Sequence, residues 1–286
     1  MIRRVVVVGG GTMGHGIAQV SAMAGCETTL VDTAEPLVEA ALGRVRANLD
    51  KGVDRGKVEA AARDQALRRL RGGTDAEAAA ADADLVVEAV PERFDLKADL
   101  LARLAAAAPA GALLGSNTSS LSIGDLQDAV GDAAPRVVGL HFFNPVHIMA
   151  LVEVVRGPRT ADATVEAGVA WARALGKDPI VVNDAPGFAS SRLGIALGLE
   201  AMRMLEQGVA SAADIDKAME LGYRHPMGPL RLTDLVGLDV RLDIARYLHE
   251  TLGTETFRPP AILERLVAEG RLGQKTGHGF YDWNET

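Results

Sequence analysis

The stretch VVVVGGGTMGHGIAQ, residues 5–19, decides the fold. Its four valines predict a short, buried parallel strand, and the residues after the glycines have the periodicity of a helix. The glycines match the pattern G-x-G-x-x-G, in which Gly9 permits a tight turn and Gly11 lets the backbone approach a pyrophosphate. Gly14 lets the helix pack closely against the strand. The stretch therefore predicts a strand, turn and helix that bind a dinucleotide.

The next predicted strand, residues 27–32, indicates which dinucleotide this is. It ends in Asp32, eighteen residues after Gly14. A carboxylate at that place suits the ribose diol of NAD and repels the 2′-phosphate of NADP. We therefore predict NAD as the cofactor. Its predicted contacts in this region are Gly9, Gly11, Thr12, Met13, Gly14 and Asp32.

Short apolar runs alternate with helical patterns as far as Asp184. This alternation predicts an α/β fold with a Rossmann-type, doubly wound, mostly parallel sheet over residues 1–184. Residues 33–84, after the second strand, predict a helical insert. Residues 185–286 have helical patterns at 189–207, 211–221, 228–250 and 259–270, which predict a second, all-helical domain. Its apolar faces are large for its length, so we expect two copies to pair as a homodimer.

Composition excludes several classes of protein. The formal net charge of −8 argues against nucleic acid as a partner, since that would favour a basic surface. The sequence has no apolar run of the length that spans a bilayer, so we expect no membrane association. The single cysteine, Cys26, cannot form an intrachain disulfide, which fits a reducing compartment and predicts a cytoplasmic protein. We predict no metal site.

Polar side chains follow the third and fourth predicted strands, at the sheet edge where ligands bind in this class of fold. Glu92 and Lys97 could reach the nicotinamide ribose or the substrate, and the alternative is an ordinary surface ion pair. The segment SNTSSLSI, residues 116–123, combines hydroxyls with the amide of Asn117. Some of these side chains would cap a helix, and at least one is a candidate site hydroxyl.

The segment LHFFNPVHIMALVEVV, residues 140–155, places a histidine and a glutamate where they could meet. His141 ends the fifth predicted strand, and Glu153 lies within the next apolar run. The Asn-Pro pair between them favours a turn, so antiparallel strands would bring Glu153 beside His141. A carboxylate on one ring nitrogen leaves the other nitrogen to act as a general base. The alternatives are a core histidine with an unrelated glutamate, or His147 as the base.

Several motifs, in this order, resemble the L-3-hydroxyacyl-CoA dehydrogenases over nearly the whole chain. They are VVVVGGGTMGHGIAQ, VVEAVPE, SNTSSL, LHFFNPV, LVEVV, DAPGF, HPMGPL, LTDLVGLDV and LGQKTGHGFYDW. The resemblance implies a Rossmann-type NAD domain and a helical domain that mediates dimerisation. It also implies site residues. These are His141 as catalytic base with Glu153 to orient it, Ser119 for the substrate, Glu92, Lys97 and Asn117 for the cofactor, and Asn144, Lys51 and Lys57 for the acyl-CoA.

One position departs from the family pattern. Members of the family usually carry an asparagine after PGF that helps to hold the substrate, and Ser191 stands there in this sequence. A serine hydroxyl is shorter than an amide and offers fewer hydrogen bonds. We predict NAD-dependent oxidation of a short-chain L-3-hydroxyacyl-CoA, such as 3-hydroxybutyryl-CoA. The alternatives are a dehydrogenase of a free 3-hydroxy acid or sugar acid, and a non-catalytic NAD-binding structural protein.

Overall fold

A computed structural model of the chain describes residues 2–284. The chain forms two compact units, Met1–Phe188 and Ala189–Thr286. The sequence predicts the boundary at Asp184, within the DAPGF segment that ends the first unit. Among residues 2–284, none of the helices combines the length and the apolar composition needed to cross a bilayer.

The first unit is built around one eight-stranded sheet. Its strands are β1 (Arg4–Val8), β2 (Glu27–Val31), β3 (Leu70–Gly73), β4 (Leu85–Glu88), β5 (Leu113–Ser116), β6 (Val137–Phe142), β7 (Leu151–Arg156) and β8 (Asp178–Asn183). They lie in the order β3-β2-β1-β4-β5-β6-β7-β8. All described neighbours run parallel except β6 and β7. The predicted mostly parallel, doubly wound sheet is confirmed.

Helices cover both faces of this sheet. They are α1 (Gly14–Met23), α2 (Glu35–Asp54), α3 (Ala60–Arg69), α4 (Ala76–Ala80), α5 (Phe94–Ala107), α6 (Ile123–Asp128) and α7 (Asp162–Ala174). The four valines of β1 are buried and alternate between two separate apolar clusters, one on each face. β1 pairs with β2 on one side and with β4 on the other, so the strand order reverses at β1. The crevice of a dinucleotide site opens at such a reversal.

The predicted helical insert also contains a strand that its sequence pattern does not predict. After α2 and α3, residues Leu70–Gly73 form β3 and pair in parallel with β2 at the edge of the sheet. The sequence LRGG has no β-branched or aromatic residue and two glycines, so it lacks the composition typical of strands. An edge strand is exposed and needs no apolar side chains, which explains why its pattern is weak.

The second unit is helical and has its own apolar core. Its helices are α8 (Ser190–Glu206), α9 (Ala212–Tyr223), α10 (Pro229–Val236), α11 (Leu238–Leu252) and α12 (Ala261–Ala268). The single helix predicted over residues 228–250 is wrong, because the chain breaks at Gly237 between α10 and α11. Gly237 has a φ of +107°, which is accessible to glycine and strained for other residues.

Two buried carboxylates in the second unit bind Phe280, Tyr281 and Trp283. Asp234 accepts hydrogen bonds from the backbone N–H of Phe280 at 2.8 Å and of Tyr281 at 2.9 Å, and from Nε1 of Trp283 at 2.9 Å. Asp216 accepts from the hydroxyl of Tyr281 at 2.7 Å. Burial and the contact with Asp216 raise the pKa of Tyr281. The GFYDW segment is therefore fixed by specific partners.

Candidate active site

The glycine loop connects β1 to α1 and has the geometry that its pattern predicts. Gly9 has a φ of +102°. A Cβ at Gly14 would lie 1.7 Å from the carbonyl oxygen of Gly9, so no larger residue fits there. A Cβ at Gly11 would meet nothing within 4 Å, so its backbone faces open space. Thr12 and Met13 complete the turn before α1. The loop thus leaves room for a pyrophosphate at the start of that helix.

Asp32 stands beside this loop, just after β2. Its Oδ2 accepts a hydrogen bond from the backbone N–H of Gly10 at 2.8 Å, and its Oδ1 accepts from Thr33 N at 2.7 Å. Nη2 of Arg44 donates to the carbonyl oxygen of Gly10 at 2.6 Å. These contacts fix both the carboxylate and the loop, so the negative charge at the end of β2 is in a defined place.

A cavity of about 750 Å³ in the first unit extends from the glycine loop to His141. Most of the predicted cofactor residues line it together with predicted catalytic residues. The lining includes Gly9, Gly11, Thr12, Met13, Asp32, Glu92, Lys97, Asn117, Ser119 and His141. A cavity of this volume, lined from the glycine loop to His141, is suited to a dinucleotide and a reacting group together.

Two carboxylates and one ammonium group lie at the end of β4. Lys97 is only 1% exposed and is therefore not part of a surface ion pair. Its Nζ donates to Oε1 of Glu88 at 2.6 Å and to the carbonyl oxygen of Val90 at 3.1 Å, and lies 3.2 Å from Oε2 of Glu92. Glu88 is fully buried, and its Oε2 accepts from Oγ of Ser116 at 2.7 Å. The position of Glu88 within an apolar strand gives no local signal for these contacts with Lys97 and Ser116.

Glu92 connects this charge cluster to the serine-rich loop after β5. Its Oε1 accepts hydrogen bonds from Oγ1 of Thr118 at 2.6 Å, and from the N–H and Oγ of Ser119 at 2.9 and 3.3 Å. Burial alone would raise the pKa of Glu92, but the ammonium of Lys97 and these donors outweigh burial and lower it. The carboxylate therefore stays charged and holds Ser119 at the cavity.

Asn117 is held by the next strand. Its Oδ1 accepts a hydrogen bond from the backbone N–H of Phe142 at 3.0 Å, and its own N–H donates to the carbonyl oxygen of Glu88 at 2.8 Å. With the amide oxygen engaged, the NH₂ group of the side chain is the part that can serve a ligand in the cavity. This position links the ends of β4, β5 and β6.

His141 and Glu153 face each other across the antiparallel pair β6 and β7. Nδ1 of His141 lies 2.6 Å from Oε2 of Glu153, and both side chains are buried. The rings of Phe143 and Phe188 lie against the imidazole, with centroids 4.5 and 5.8 Å away. The contact therefore uses Nδ1, and the aromatic rings restrict the orientation of the imidazole.

Other candidate residues lie outside this cavity. Asn144, Lys51 and Lys57 are exposed, with Lys51 near the end of α2 and Lys57 in the turn after it. His147 is exposed in the segment between β6 and β7, but part of its ring is shielded from solvent. This partial burial, followed by the charges of Lys177, His15 and Lys51, lowers the pKa of His147. Ser191 lies in the first turn of α8, in the second unit.

A Rossmann-type cofactor site whose cavity contains a carboxylate-oriented histidine defines an NAD-dependent dehydrogenase. The comparison with protein families identifies which kind. Residues 4–185 match the model described as "3-hydroxyacyl-CoA dehydrogenase, NAD binding domain", and residues 187–283 match "3-hydroxyacyl-CoA dehydrogenase, C-terminal domain". The chain belongs to the 3-hydroxyacyl-CoA dehydrogenase family, and the predicted family and cofactor are confirmed.

Individual relatives cover nearly the whole chain. A probable 3-hydroxybutyryl-CoA dehydrogenase of Bacillus subtilis is 40% identical over 99% of this chain and 98% of its own. A 3-hydroxybutyryl-CoA dehydrogenase of Mycobacterium tuberculosis is 43% identical over 99% of both chains. The crystal structure of (S)-3-hydroxybutyryl-CoA dehydrogenase from Ralstonia eutropha superposes with a TM-score of 0.95, at 40% identity over 99% of both chains.

Proposed function

We propose that this enzyme oxidises a short-chain L-3-hydroxyacyl-CoA, such as 3-hydroxybutyryl-CoA, to the 3-ketoacyl-CoA with NAD, and catalyses the reverse reaction. The observation that carries the proposal is the 2.6 Å contact between Nδ1 of His141 and Glu153 at a cavity shared with the glycine loop. The names of the relatives support the substrate class.

In this mechanism His141 is the general base and acid. With Glu153 ionised, Nδ1–H donates to the carboxylate, and Nε2 accepts the proton of the substrate's 3-hydroxyl group. Glu153 stabilises the imidazolium that forms. Bound NAD supplies the hydride acceptor. In the direction of reduction, the imidazolium returns a proton to the carbonyl oxygen.

Ser119 is proposed to hold the reacting oxygen of the substrate. Its hydroxyl is within reach of Glu92, which also binds its backbone N–H at 2.9 Å. A hydroxyl can rotate from the carboxylate to a substrate oxygen while the backbone contact keeps the residue in place. Glu92, Lys97 and Asn117 would serve the nicotinamide half of the cofactor, and Asp32 the adenosine ribose.

The CoA part is assigned to exposed residues. Lys51 and Lys57 carry positive charge on the insert after β2, where they could pair with the phosphates of CoA. We also assign Asn144 and Ser191 to substrate binding, as the family resemblance implies. Ser191→Asn should change the KM for the acyl-CoA and leave the affinity for NADH unchanged.

We further propose a cytoplasmic homodimer that associates through the helical unit. Large apolar side chains of this unit are exposed, namely Leu193 at 71%, Leu221 at 73% and Tyr223 at 76%. Exposed apolar area of this kind is typical of a protein–protein interface. Light scattering after size-exclusion chromatography tests the proposal, and a monomer at micromolar concentration would contradict it. The buried single cysteine is compatible with a reducing compartment.

The decisive assay follows oxidation of NADH in the presence of acetoacetyl-CoA. His141→Gln should remove most of the rate and change the Kd for NADH little, because the ring serves the proton transfer and not cofactor affinity. If the enzyme binds NADH but turns over none of the 3-ketoacyl-CoA substrates, the proposal is refuted.

Parallel assays with free 3-hydroxy acids and sugar acids test the alternative substrate, which the comparisons do not favour. A protein that binds NADH but turns over neither substrate class would indicate the non-catalytic alternative.

A further inference from the structure

The buried charge cluster at the end of β4 has more negative than positive charge. Lys97 has three N–H donors, and three acceptors lie within reach: Oε1 of Glu88 at 2.6 Å, the carbonyl oxygen of Val90 at 3.1 Å and Oε2 of Glu92 at 3.2 Å. The protein thus supplies an acceptor for each N–H of the ammonium group, and Lys97 serves the cavity that it lines through its charge. Two carboxylates share this one cation, so the cluster has a net charge of −1.

Glu88 has a different place in the cluster from Glu92. Its side chain is fully buried, and it does not belong to the lining of the cavity. Its Oε1 accepts from Val90 N at 2.7 Å and from Lys97, and its Oε2 accepts from Ser116 Oγ at 2.7 Å. Glu88 therefore cannot contact a ligand itself. Its effect on the cavity must pass through its charge and through the position of Lys97.

The cluster lies at the reacting end of the cavity. Glu92 binds the N–H and hydroxyl of Ser119, and Ser119 lines the cavity together with His141. Asp32 marks the other end, at the glycine loop. A cofactor that reacts beside His141 must place its nicotinamide at the end near Glu92. The nicotinamide ring is positively charged in NAD⁺ and neutral in NADH, so a nearby net charge acts differently on the two forms.

We infer that Glu88 is a positioning residue that anchors Lys97 next to Glu92, and that its buried charge strengthens the binding of the oxidised nicotinamide ring relative to that of the reduced ring. Without the charge of Glu88, the ammonium of Lys97 would neutralise Glu92, and the cluster would no longer attract a cationic ring. A low local dielectric makes this interaction stronger than it would be in water. The inference rests on NAD binding and not on the identity of the acyl substrate.

Glu88→Gln tests it directly. Glutamine has nearly the same shape, its amide oxygen can accept from Lys97 and Val90, and its NH₂ group can donate to the hydroxyl of Ser116. The substitution changes the net charge of the cluster from −1 to zero. We expect the Kd for NAD⁺ to rise about tenfold more than the Kd for NADH, since a change of one charge near the ring acts on the cation alone. NADH fluorescence titration and competition with NAD⁺, without substrate, measure the two constants.

Three further variants separate charge from shape. In Glu88→Gln/Lys97→Met the net charge returns to −1, so the ratio of the two constants should move back towards that of the wild type. Ser116→Ala removes one hydrogen bond of Glu88 and no charge, so it should leave the ratio unchanged. Glu92→Gln also changes the net charge of the cluster from −1 to zero, but at a partly exposed position. It should shift the ratio in the same direction, and an unchanged ratio would overturn the inference even if Glu88→Gln does not fold.

A purely structural role for Glu88 gives a different result. In that case Glu88→Gln would raise the Kd values for NAD⁺ and NADH by the same factor, or would lower the melting temperature and leave both Kd values unchanged. Either outcome would overturn the inference. The inference would also be overturned if the ratio of the two Kd values in Glu88→Gln/Lys97→Met stayed at the value of Glu88→Gln. The charge of Lys97 would then have no part in the effect.

Discussion

Glu153 lies directly opposite His141 in the antiparallel pair of β6 and β7, and its Oε2 is 2.6 Å from Nδ1 of the imidazole. The register of two strands therefore sets the contact, and no flexible loop is needed to form it. Residues that face each other across such a pair are held with little freedom, because the backbone ladder fixes both. The His141–Glu153 contact is a product of sheet geometry.

Glu153→Gln should lower kcat by about 10²- to 10⁴-fold, the range that general acid–base groups contribute. The amide has no charge to stabilise an imidazolium, and it can hold the ring in the wrong tautomer. Steady-state kinetics with acetoacetyl-CoA and NADH give kcat, and fluorescence titration gives the Kd for NADH, which should stay within a factor of two or so of the wild type. An undiminished kcat would remove Glu153 from the proposed mechanism.

The glycine loop offers a matched pair of substitutions. Gly14→Ala places a Cβ 1.7 Å from the carbonyl oxygen of Gly9, so the loop and α1 must separate. We expect a loss of about 3 kcal/mol in the free energy of unfolding. Gly11→Ala meets nothing within 4 Å and should leave stability unchanged, but its methyl group stands where the pyrophosphate would approach. Chemical denaturation and NADH titration of both variants measure the two effects. Equal stability losses would contradict the argument.

Asp32→Asn should shift the preference of the enzyme towards NADPH. The substitution removes a charge that would lie against a 2′-phosphate, and juxtaposed like charges cost several kcal/mol, so the ratio of kcat/KM values for NADPH and NADH should rise about tenfold or more. Asp84→Asn is the control, because Asp84 also accepts backbone N–H groups, those of Arg3 and Arg4, yet does not line the cavity. A ratio that moves equally in both variants would refute the role of Asp32.

Glu92 should make the stability of the protein depend on acid pH. Its pKa in the folded protein lies below the ordinary value of 4.5, because Lys97 and the donors of the serine-rich loop outweigh the effect of burial. A carboxyl group with a lowered pKa stabilises the fold above its ordinary pKa, and this contribution is lost as the pH falls through the folded value. The free-energy difference between the wild type and Glu92→Gln should therefore shrink as the pH falls below about 4.5 and through the lower pKa of the folded state.

Urea unfolding at several pH values measures this difference. Glu39→Gln, at an exposed position of α2, serves as the matched control. A difference between the wild type and Glu92→Gln that grows as the pH falls would contradict the predicted sign. A difference that stays constant would show that the contacts of Glu92 do not depend on its charge.

Local signals explain most of what could be predicted from the sequence. The four valines and the spacing of Gly9, Gly11 and Gly14 predict β1, the turn and α1, because each residue type there meets a strict local requirement. The opposition of His141 and Glu153 was also predictable, since a turn between two apolar runs brings their strands together. These features depend on short-range geometry, which can be predicted from residue types and their spacing.

Features that depend on distant partners were missed. The sequence places Glu88 in an apolar strand and Lys97 in a helix, and only the folded chain brings their charges to 2.6 Å. The edge strand β3 does not have the residue composition typical of strands. Its parallel pairing with β2 holds it in place, and its own side chains contribute little. The break at Gly237 lies within one continuous apolar pattern, so periodicity alone could not locate it.

The contacts of Asp234 and Asp216 have a consequence for the order in which the chain can fold. Both carboxylates are buried, and they bind Phe280, Tyr281 and Trp283, which lie 46 to 65 positions further along the chain. Until those residues have been synthesised, Asp216 in α9 and Asp234 in α10 lack several of their hydrogen bonds. Burying the two carboxylates in that state is costly. The helical unit can therefore complete its core only after Phe280, Tyr281 and Trp283 have been synthesised.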